Sequence, residues 1–78
     1  MKITEMKEGK TYRIISYGNL SNEDIEQLNC IGFLEGELMN NLVGITCSKS
    51  MCLFKIENSS FAINHSYIFE IEVEEYNG

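Results

Sequence analysis

The chain has no proline, no tryptophan and a single histidine, and only six of its 78 residues are lysine or arginine. Twelve aspartates and glutamates bring the formal net charge to −6 at pH 7. Because a nucleic-acid-binding surface must neutralise phosphates, this charge balance argues against nucleic acid as a partner. It also disfavours adsorption to anionic lipid. The composition therefore predicts neither a nucleic-acid-binding protein nor one that adheres to a membrane surface.

Long apolar segments are missing as well. No apolar run approaches the ~20 residues that a membrane-spanning helix needs, and residues 1–8 lack the apolar centre of a signal peptide. Three cysteines, an odd number, suit a reducing compartment better than a disulfide framework. We therefore expect a cytoplasmic protein that does not insert into a membrane. A chain of this length forms one domain, residues 1–78, with a single core.

Residues 20–36 contain the start signal, the apolar face and the end signal of one short helix. Ser21 is a suitable N-cap, and acidic residues follow it in the early turns, where the helix dipole favours them. Gly32 provides a left-handed exit, after which Phe33 can pack back onto the helix. The apolar stripe at helical spacing consists of Ile25, Leu28 and Ile31. Because about three turns are not stable alone, this helix must dock on a sheet.

The rest of the chain is typical of strands joined by short turns. Alternating, β-branched and aromatic residues predict five strands, at residues 11–17, 37–46, 52–57 and 60–64 and in a last segment where Phe69, Ile71 and Val73 alternate with glutamates. Gly44 inside the second strand predicts a bulge or a sharp bend. Five strands and one helix in so short a chain imply a strongly bent sheet that closes on itself. The predicted fold class is mainly β.

Three residues are the candidates for a metal site. Cys47 and Cys52 flank a predicted hairpin turn, and Cys30 or His65 could complete a soft-metal site with them. The spacing is wider than that of a structural zinc knuckle, however, and free cysteines usually act as small buried hydrophobic residues. A cross-strand disulfide is geometrically conceivable but is not expected in the cytosol. We therefore predict no metal site and retain Cys47, Cys52 and His65 as its candidates.

The sequence contains no combination of residues that indicates catalysis. His65 and Ser66 are adjacent, so on an extended segment their side chains point to opposite faces. Glu70, Glu72 and Glu74 share one face of the last predicted strand, which favours a solvated face over a pair of catalytic carboxylates and would attract divalent cations only weakly. The glycines are too far apart to form a phosphate-binding loop. We predict a protein that is not an enzyme and has no cofactor.

The order of the elements points to a family. An opening turn at residues 6–10, a first strand, a short helix with the exit Ile-Gly-Phe-Leu-Glu-Gly at residues 31–36, a long strand, a hairpin and closing segments at 61–63 and 68–73 follow one another. This arrangement resembles FeoA, the small cytosolic component of bacterial ferrous iron transport. The family pattern places proline where this chain has Glu35, and its helix is arginine-rich whereas this one has no arginine.

The resemblance implies a five-stranded Src-homology-3-like barrel with one short helix inserted after the first strand. It implies a non-catalytic accessory protein that modulates the membrane transporter FeoB through the transporter's cytosolic, GTPase-containing part. From the residues themselves, Lys49 and Met51 are the candidate contact residues, since an apolar side chain at a hairpin tip has little core to join.

Two alternatives for the function stay open at this point. The first is a metal-binding or metal-sensing barrel that uses Cys47 and Cys52, with ferrous iron as a conceivable ligand. The second is an unrelated peptide-binding barrel, for which the chain has no tryptophan and only four tyrosines to line an aromatic groove, namely Tyr12, Tyr17, Tyr67 and Tyr76. The oligomeric state is also open, because small barrels can pair through exposed strands to form homo-oligomers.

Overall fold

The computed structural model describes residues 1–77 of the chain. In chain order the elements of this part are β1 (Tyr12–Ser16), α1 (Asn22–Cys30), β2 (Leu38–Met39), β3 (Gly44–Cys47), β4 (Met51–Ile56), β5 (Ser59–Asn64) and β6 (Glu72–Glu75). Two single-turn 3-10 helices, Ile3–Glu5 and His65–Tyr67, precede β1 and follow β5. The predicted mainly β fold with one short helix after the first strand is confirmed.

The strands form two antiparallel sheets of three strands each, in the orders β2-β1-β6 and β3-β4-β5. The prediction of five strands is therefore wrong, because the described residues contain six. The predicted second strand is divided in two near Asn41, which adopts a left-handed backbone conformation with φ of 52°. As a result, β2 pairs with β1 in one sheet and β3 pairs with β4 in the other.

A β-bulge lies at the start of β3, as the glycine there predicted. Gly44 stands opposite Lys55 in the register of β3 and β4. The N–H of Val43 also donates to the carbonyl oxygen of Lys55, at 2.8 Å. Two residues of one strand thus face one residue of the other, which is the pattern of a bulge. The extra residue bends the chain where it passes from the first sheet to the second.

Both ends of α1 follow from local sequence signals. The side chain of Ser21 accepts a hydrogen bond from the Asp24 N–H at 3.2 Å. At the other end Gly32 has φ of 90°. The N–H groups of Gly32 and Phe33 donate to the carbonyl oxygens of Asn29 and Leu28, which is the predicted Schellman arrangement. The N-cap and the glycine exit are confirmed.

Two apolar residues are not where their periodicity placed them. Ile31 is the C-cap of α1 and is 47% exposed, so the apolar stripe ends at Leu28. Phe69 is 56% exposed because residues 68–70 form a turn, and β6 begins only at Glu72. Ile71 and Val73 are fully buried, as predicted. Both exceptions lie where the regular backbone, and with it the periodicity, has ended.

A single core connects the two sheets and the helix. It draws on the inner faces of both sheets, on α1 and on the N-terminal segment, and its largest fully buried side chains are Tyr12, Phe33, Phe54, Ile3, Ile14, Leu28, Leu42, Ile63, Ile71 and Val73. Phe33, just after the helix, meets Phe61 of β5 edge to face at a ring distance of 5.6 Å. This contact places the end of α1 beside the second sheet.

Candidate interaction surface

A disulfide crosses the β3–β4 hairpin. Cys47 and Cys52 are opposite each other in the register, with their Cα atoms 4.0 Å apart, and their sulfur atoms are bonded. The next pair toward the turn is a hydrogen-bonded one, since the Ser48 N–H donates to the Met51 carbonyl oxygen at 2.8 Å. The two cysteines therefore form a non-hydrogen-bonded pair, in which side chains approach most closely. The expectation that no disulfide forms here is wrong.

The hairpin turn is held by one hydroxyl group. The side chain of Ser48 accepts hydrogen bonds from the N–H groups of Met51, at 3.2 Å, and Ser50, at 3.4 Å. Lys49 is exposed in this turn and takes part in no salt bridge with another described residue. Met51 begins β4 and is 41% exposed. Both predicted contact residues thus lie on the surface at the hairpin tip, next to the disulfide.

Met51 belongs to a larger apolar surface. Leu53, two residues along β4 on the same face, is 45% exposed and stands opposite Ala62 of β5. Met51, Ala62 and Ile31 line one cavity of about 240 Å³ between α1 and the second sheet. We call Met51, Leu53, Ala62 and Ile31 the β4–α1 surface. Exposed apolar groups gathered in this way are typical of sites that bind other proteins.

The helix side of this surface is acidic. Glu23 and Glu26 line a shallow cavity on α1 together with Ile31 and Cys30, which is a free, exposed cysteine. No lysine or arginine is among the described residues that line this cavity. The helix thus presents carboxylates next to an exposed apolar side chain.

Two tyrosine hydroxyls hold α1 in place. The Tyr67 hydroxyl donates to a carboxylate oxygen of Asp24 at 2.7 Å, and this hydrogen bond raises the pKa of Tyr67. The Tyr17 hydroxyl lies 2.9 Å from Asn29 Oδ1 and 3.0 Å from the Phe33 carbonyl oxygen, and it accepts the Glu35 N–H at 2.8 Å. Burial raises the pKa of Tyr17. Both contacts fix the helix relative to the sheets and so position Ile31.

The remaining metal candidate does not join a group of ligands. His65 begins the turn after β5, where its N–H donates to the Ser50 carbonyl oxygen at 2.9 Å and its ring contacts Phe69 edge to face at 5.2 Å. Among residues 1–77, no three histidine, cysteine, aspartate or glutamate side chains gather in a way that could hold a metal ion. The disulfide also occupies the sulfur atoms of Cys47 and Cys52.

The glutamates near the C-terminal strand are engaged in local contacts. Glu72 pairs with Lys2 at 2.7 Å, and the hydrogen bond from Lys2 lowers the pKa of this carboxyl group. Glu74 pairs with Arg13. Glu70, which lies before β6, accepts the Asn19 N–H at 3.1 Å. These carboxylates contact cations and main-chain groups of the same chain, as part of the first sheet and its turns.

Sequence reasoning found Met51 but missed Leu53, Ala62 and Ile31. A signal for the first two was present, because residues 51–54, Met-Cys-Leu-Phe, are apolar on both faces of the strand rather than on alternate residues. Such a run is typical of a strand that is covered on both faces. In the part of the chain that the structure describes, only the inner face of β4, with Cys52 and Phe54, is covered by other residues.

Comparison of the chain with protein-family models and with curated proteins gives no match. Among residues 1–77, no helix has both the length and the apolar character needed to cross a membrane.

Proposed function

We propose that this chain is a non-catalytic interaction module that acts in the cytoplasm as an accessory to a FeoB-type ferrous iron transporter, through the transporter's cytosolic, GTPase-containing part. The observation that carries the interaction role is the β4–α1 surface, where four apolar side chains from two strands and from the C-cap of the helix lie together in contact with solvent. The assignment to iron transport rests on the resemblance of the element order and of the helix exit to FeoA.

The physical reason for a protein partner is the cost of leaving this surface in water. Met51, Leu53 and Ile31 are each between 41% and 47% exposed. A partner that covers them removes apolar area from water at about 25 cal/mol per Å². Such a surface contributes most to affinity where its central side chains become fully desolvated.

The test is a binding measurement with the cytosolic part of the transporter, in the presence and in the absence of guanine nucleotide. We expect Met51→Glu to weaken binding by about tenfold or more, because a buried carboxylate at the centre of an interface loses its hydration. Ile15→Glu is the matched control, since Ile15 is 42% exposed on the other sheet. Absence of binding with wild-type protein, with and without nucleotide, would refute the proposed partner.

A further inference from the structure

β5 is an open edge of the second sheet. It is bonded to β4 on one side and has no strand on the other in the part of the chain that the structure describes. Its six residues, Ser59–Asn64, include no charged residue and no proline. Exposed edges are usually blocked by such residues, because an edge presents main-chain groups to any other strand. β6, in contrast, carries three glutamates among its four residues.

The register identifies the main-chain groups that face outward. The His65 N–H donates to the Ser50 carbonyl oxygen of the β3–β4 turn, at 2.9 Å. The main-chain N–H and C=O groups of an antiparallel strand alternate in direction from one residue to the next. Those of Ile63 and Phe61 therefore also bond to β4, whereas those of Ala62 and Ser60 point away from it. Within residues 1–77, neither Ala62 nor Ser60 forms a main-chain hydrogen bond on that outer side.

Two cavities lie along this edge and could take side chains of an added strand. One, of about 240 Å³, is bounded by Ala62 of β5 and by Ile31 after α1. The other, also about 240 Å³, reaches Ser59 at the far end of β5. Phe61 also lines this second cavity, and its ring edge lies 3.8 Å from the place where a Cβ on Gly32 would lie. Alternate side chains of a strand are ~7 Å apart and share a face, so they suit pockets placed on either side of one residue.

The charged residues around the cavities indicate what kind of segment would bind to the β5 edge. The two cavities and the neighbouring one on α1 are bordered by four carboxylates and, among the described residues, by no lysine or arginine; the carboxylates are Glu23, Glu26, Glu37 and Glu57. Lys55 lies one strand further in, on β4. A second copy of the chain, with net charge −6, would bring the same carboxylates face to face in a two-fold interface. An extended segment rich in lysine or arginine instead complements this edge.

We propose that the free edge of β5 binds an extended, basic segment of a partner protein as an added β-strand, with alternate apolar side chains in the two cavities beside α1. The proposal rests on the proposed function only in taking the partner to be a protein. Main-chain hydrogen bonds from Ala62 and Ser60 supply affinity, and the cavities and carboxylates supply selectivity. The β4–α1 surface lies beside the added strand and extends the contact.

The first experiment follows the main-chain amides by nuclear magnetic resonance. The probe is a short capped peptide of alternating lysine and valine, and its control is the same peptide with glutamate in place of lysine. We expect the basic peptide to slow hydrogen exchange of the Ala62 and Ser60 amides by about tenfold or more at saturation. The acidic peptide should leave both amides unchanged.

Three results would overturn the proposal. The first is equal binding of the acidic and basic peptides, and the second is peptide binding that shifts only residues of α1 and leaves the β5 amides unprotected. The third is protection of Ala62 and Ser60 that rises with protein concentration in the absence of any peptide, because a second copy would then occupy the edge.

Two variants of Ala62 distinguish the contribution of its main-chain hydrogen bond from that of its side chain. Ala62→Pro removes the outward N–H, and edge positions with that orientation tolerate proline. Ala62→Ser keeps the N–H with a side chain of similar size. We expect the proline variant to lose peptide binding by about tenfold or more while the serine variant binds like wild type. Equal affinity of a folded proline variant and the serine variant would refute strand addition.

Should Ala62→Pro fail to fold, a charge test serves instead. Glu23→Gln combined with Glu26→Gln removes two carboxylates beside the edge, and Glu8→Gln combined with Glu35→Gln removes two from outside the three cavities. We expect only the first pair to weaken binding of the basic peptide, by about threefold or more at low salt. Equal weakening by both pairs would contradict the proposal.

The outcomes for the edge and for the proposed function are separable. Transporter binding without protection of the Ala62 amide would refute strand addition and leave the proposed function standing. Peptide binding at β5 together with no binding of the transporter's cytosolic part would refute the proposed function and leave the edge as a docking site.

Discussion

Removal of the Tyr17 hydroxyl tests how the helix is held against the sheets. Tyr17 follows β1 and is only 8% exposed, and its oxygen lies within hydrogen-bond distance of three groups of the helix exit. Two of them, Asn29 Oδ1 and the Phe33 carbonyl oxygen, are acceptors, and the third is the Glu35 N–H. The variant Tyr17→Phe removes this oxygen and keeps the ring.

The expected loss in the free energy of unfolding follows from the number of hydrogen bonds that the Tyr17 hydroxyl makes. A hydroxyl has one proton, so it donates to one of the two acceptors at a time while it accepts the Glu35 N–H. Two hydrogen bonds are thus lost in the variant. At about 0.5–1.5 kcal/mol each, with a buried carbonyl left unpaired, the loss in the free energy of unfolding is about 2 kcal/mol.

Urea unfolding followed by circular dichroism measures this loss. Tyr76→Phe is the control, since Tyr76 is 39% exposed and its hydroxyl forms no hydrogen bond with another described residue. Its effect should stay within about 0.5 kcal/mol. A loss in Tyr17→Phe no larger than that of the control would refute the role of the hydroxyl in holding the helix exit.

The pH dependence gives a second readout of the same group. Burial raises the pKa of Tyr17 above its ordinary value of 10.0, so the unfolded chain releases this proton first as the pH rises. The stability that the neutral, buried Tyr17 hydroxyl contributes is therefore complete below pH 10 and is lost as the pH rises through the raised pKa. Tyr17→Phe should lose less stability than wild type between neutral and strongly alkaline pH, and an unchanged slope would contradict the argument.

The remaining predictions concern three separate contacts. Gly18→Ala should destabilise the fold at least twice as much as Gly9→Ala, because both glycines have positive φ but only at Gly18 would a Cβ overlap a main-chain atom, the carbonyl oxygen of Glu70. Equal melting points of the two variants would contradict this. Reduction of the β3–β4 disulfide should lower the free energy of unfolding by about 2 kcal/mol for so short a loop, as urea unfolding with and without dithiothreitol would show. The hydrogen bond from Lys2 lowers the pKa of Glu72 below its ordinary value of 4.5. The stability that this ion pair contributes is therefore present above pH 4.5 and is lost as the pH falls through the lowered pKa. Thermal melts across acid pH should therefore fall less steeply for Glu72→Gln, and identical acid profiles would refute the contribution.

The strand predictions failed where the backbone leaves a regular path. Nothing in the apolar pattern of residues 37–46 marks the left-handed turn at Asn41 that assigns β2 and β3 to different sheets. Phe69 fits a strand by its alternation, yet it lies in a turn before β6 begins. Periodicity reports which residues could share a face only while the dihedral angles repeat. It cannot report where the repetition stops for tertiary reasons.

The candidate site was predictable in part. Met51 and Lys49 lie at the hairpin tip because the turn residues are local. The partnership of Met51 with Ile31 and Ala62 is not local, since it joins residues from β4, from β5 and from the end of the helix. No spacing in the sequence shows that these three residues lie together.

The sequence by itself determined the helix and its ends, the mainly β class and the acidic character of the chain. Those features depend on neighbouring residues, as Ser21 capping the third residue after it and Gly32 ending the helix show. Only the tertiary structure decided that Cys47 meets Cys52 as a disulfide and that β5 has no strand on its outer side among residues 1–77, beside acidic cavities. Strand pairing and edges depend on which segments the core brings together, and burial of the core is a property of the whole chain.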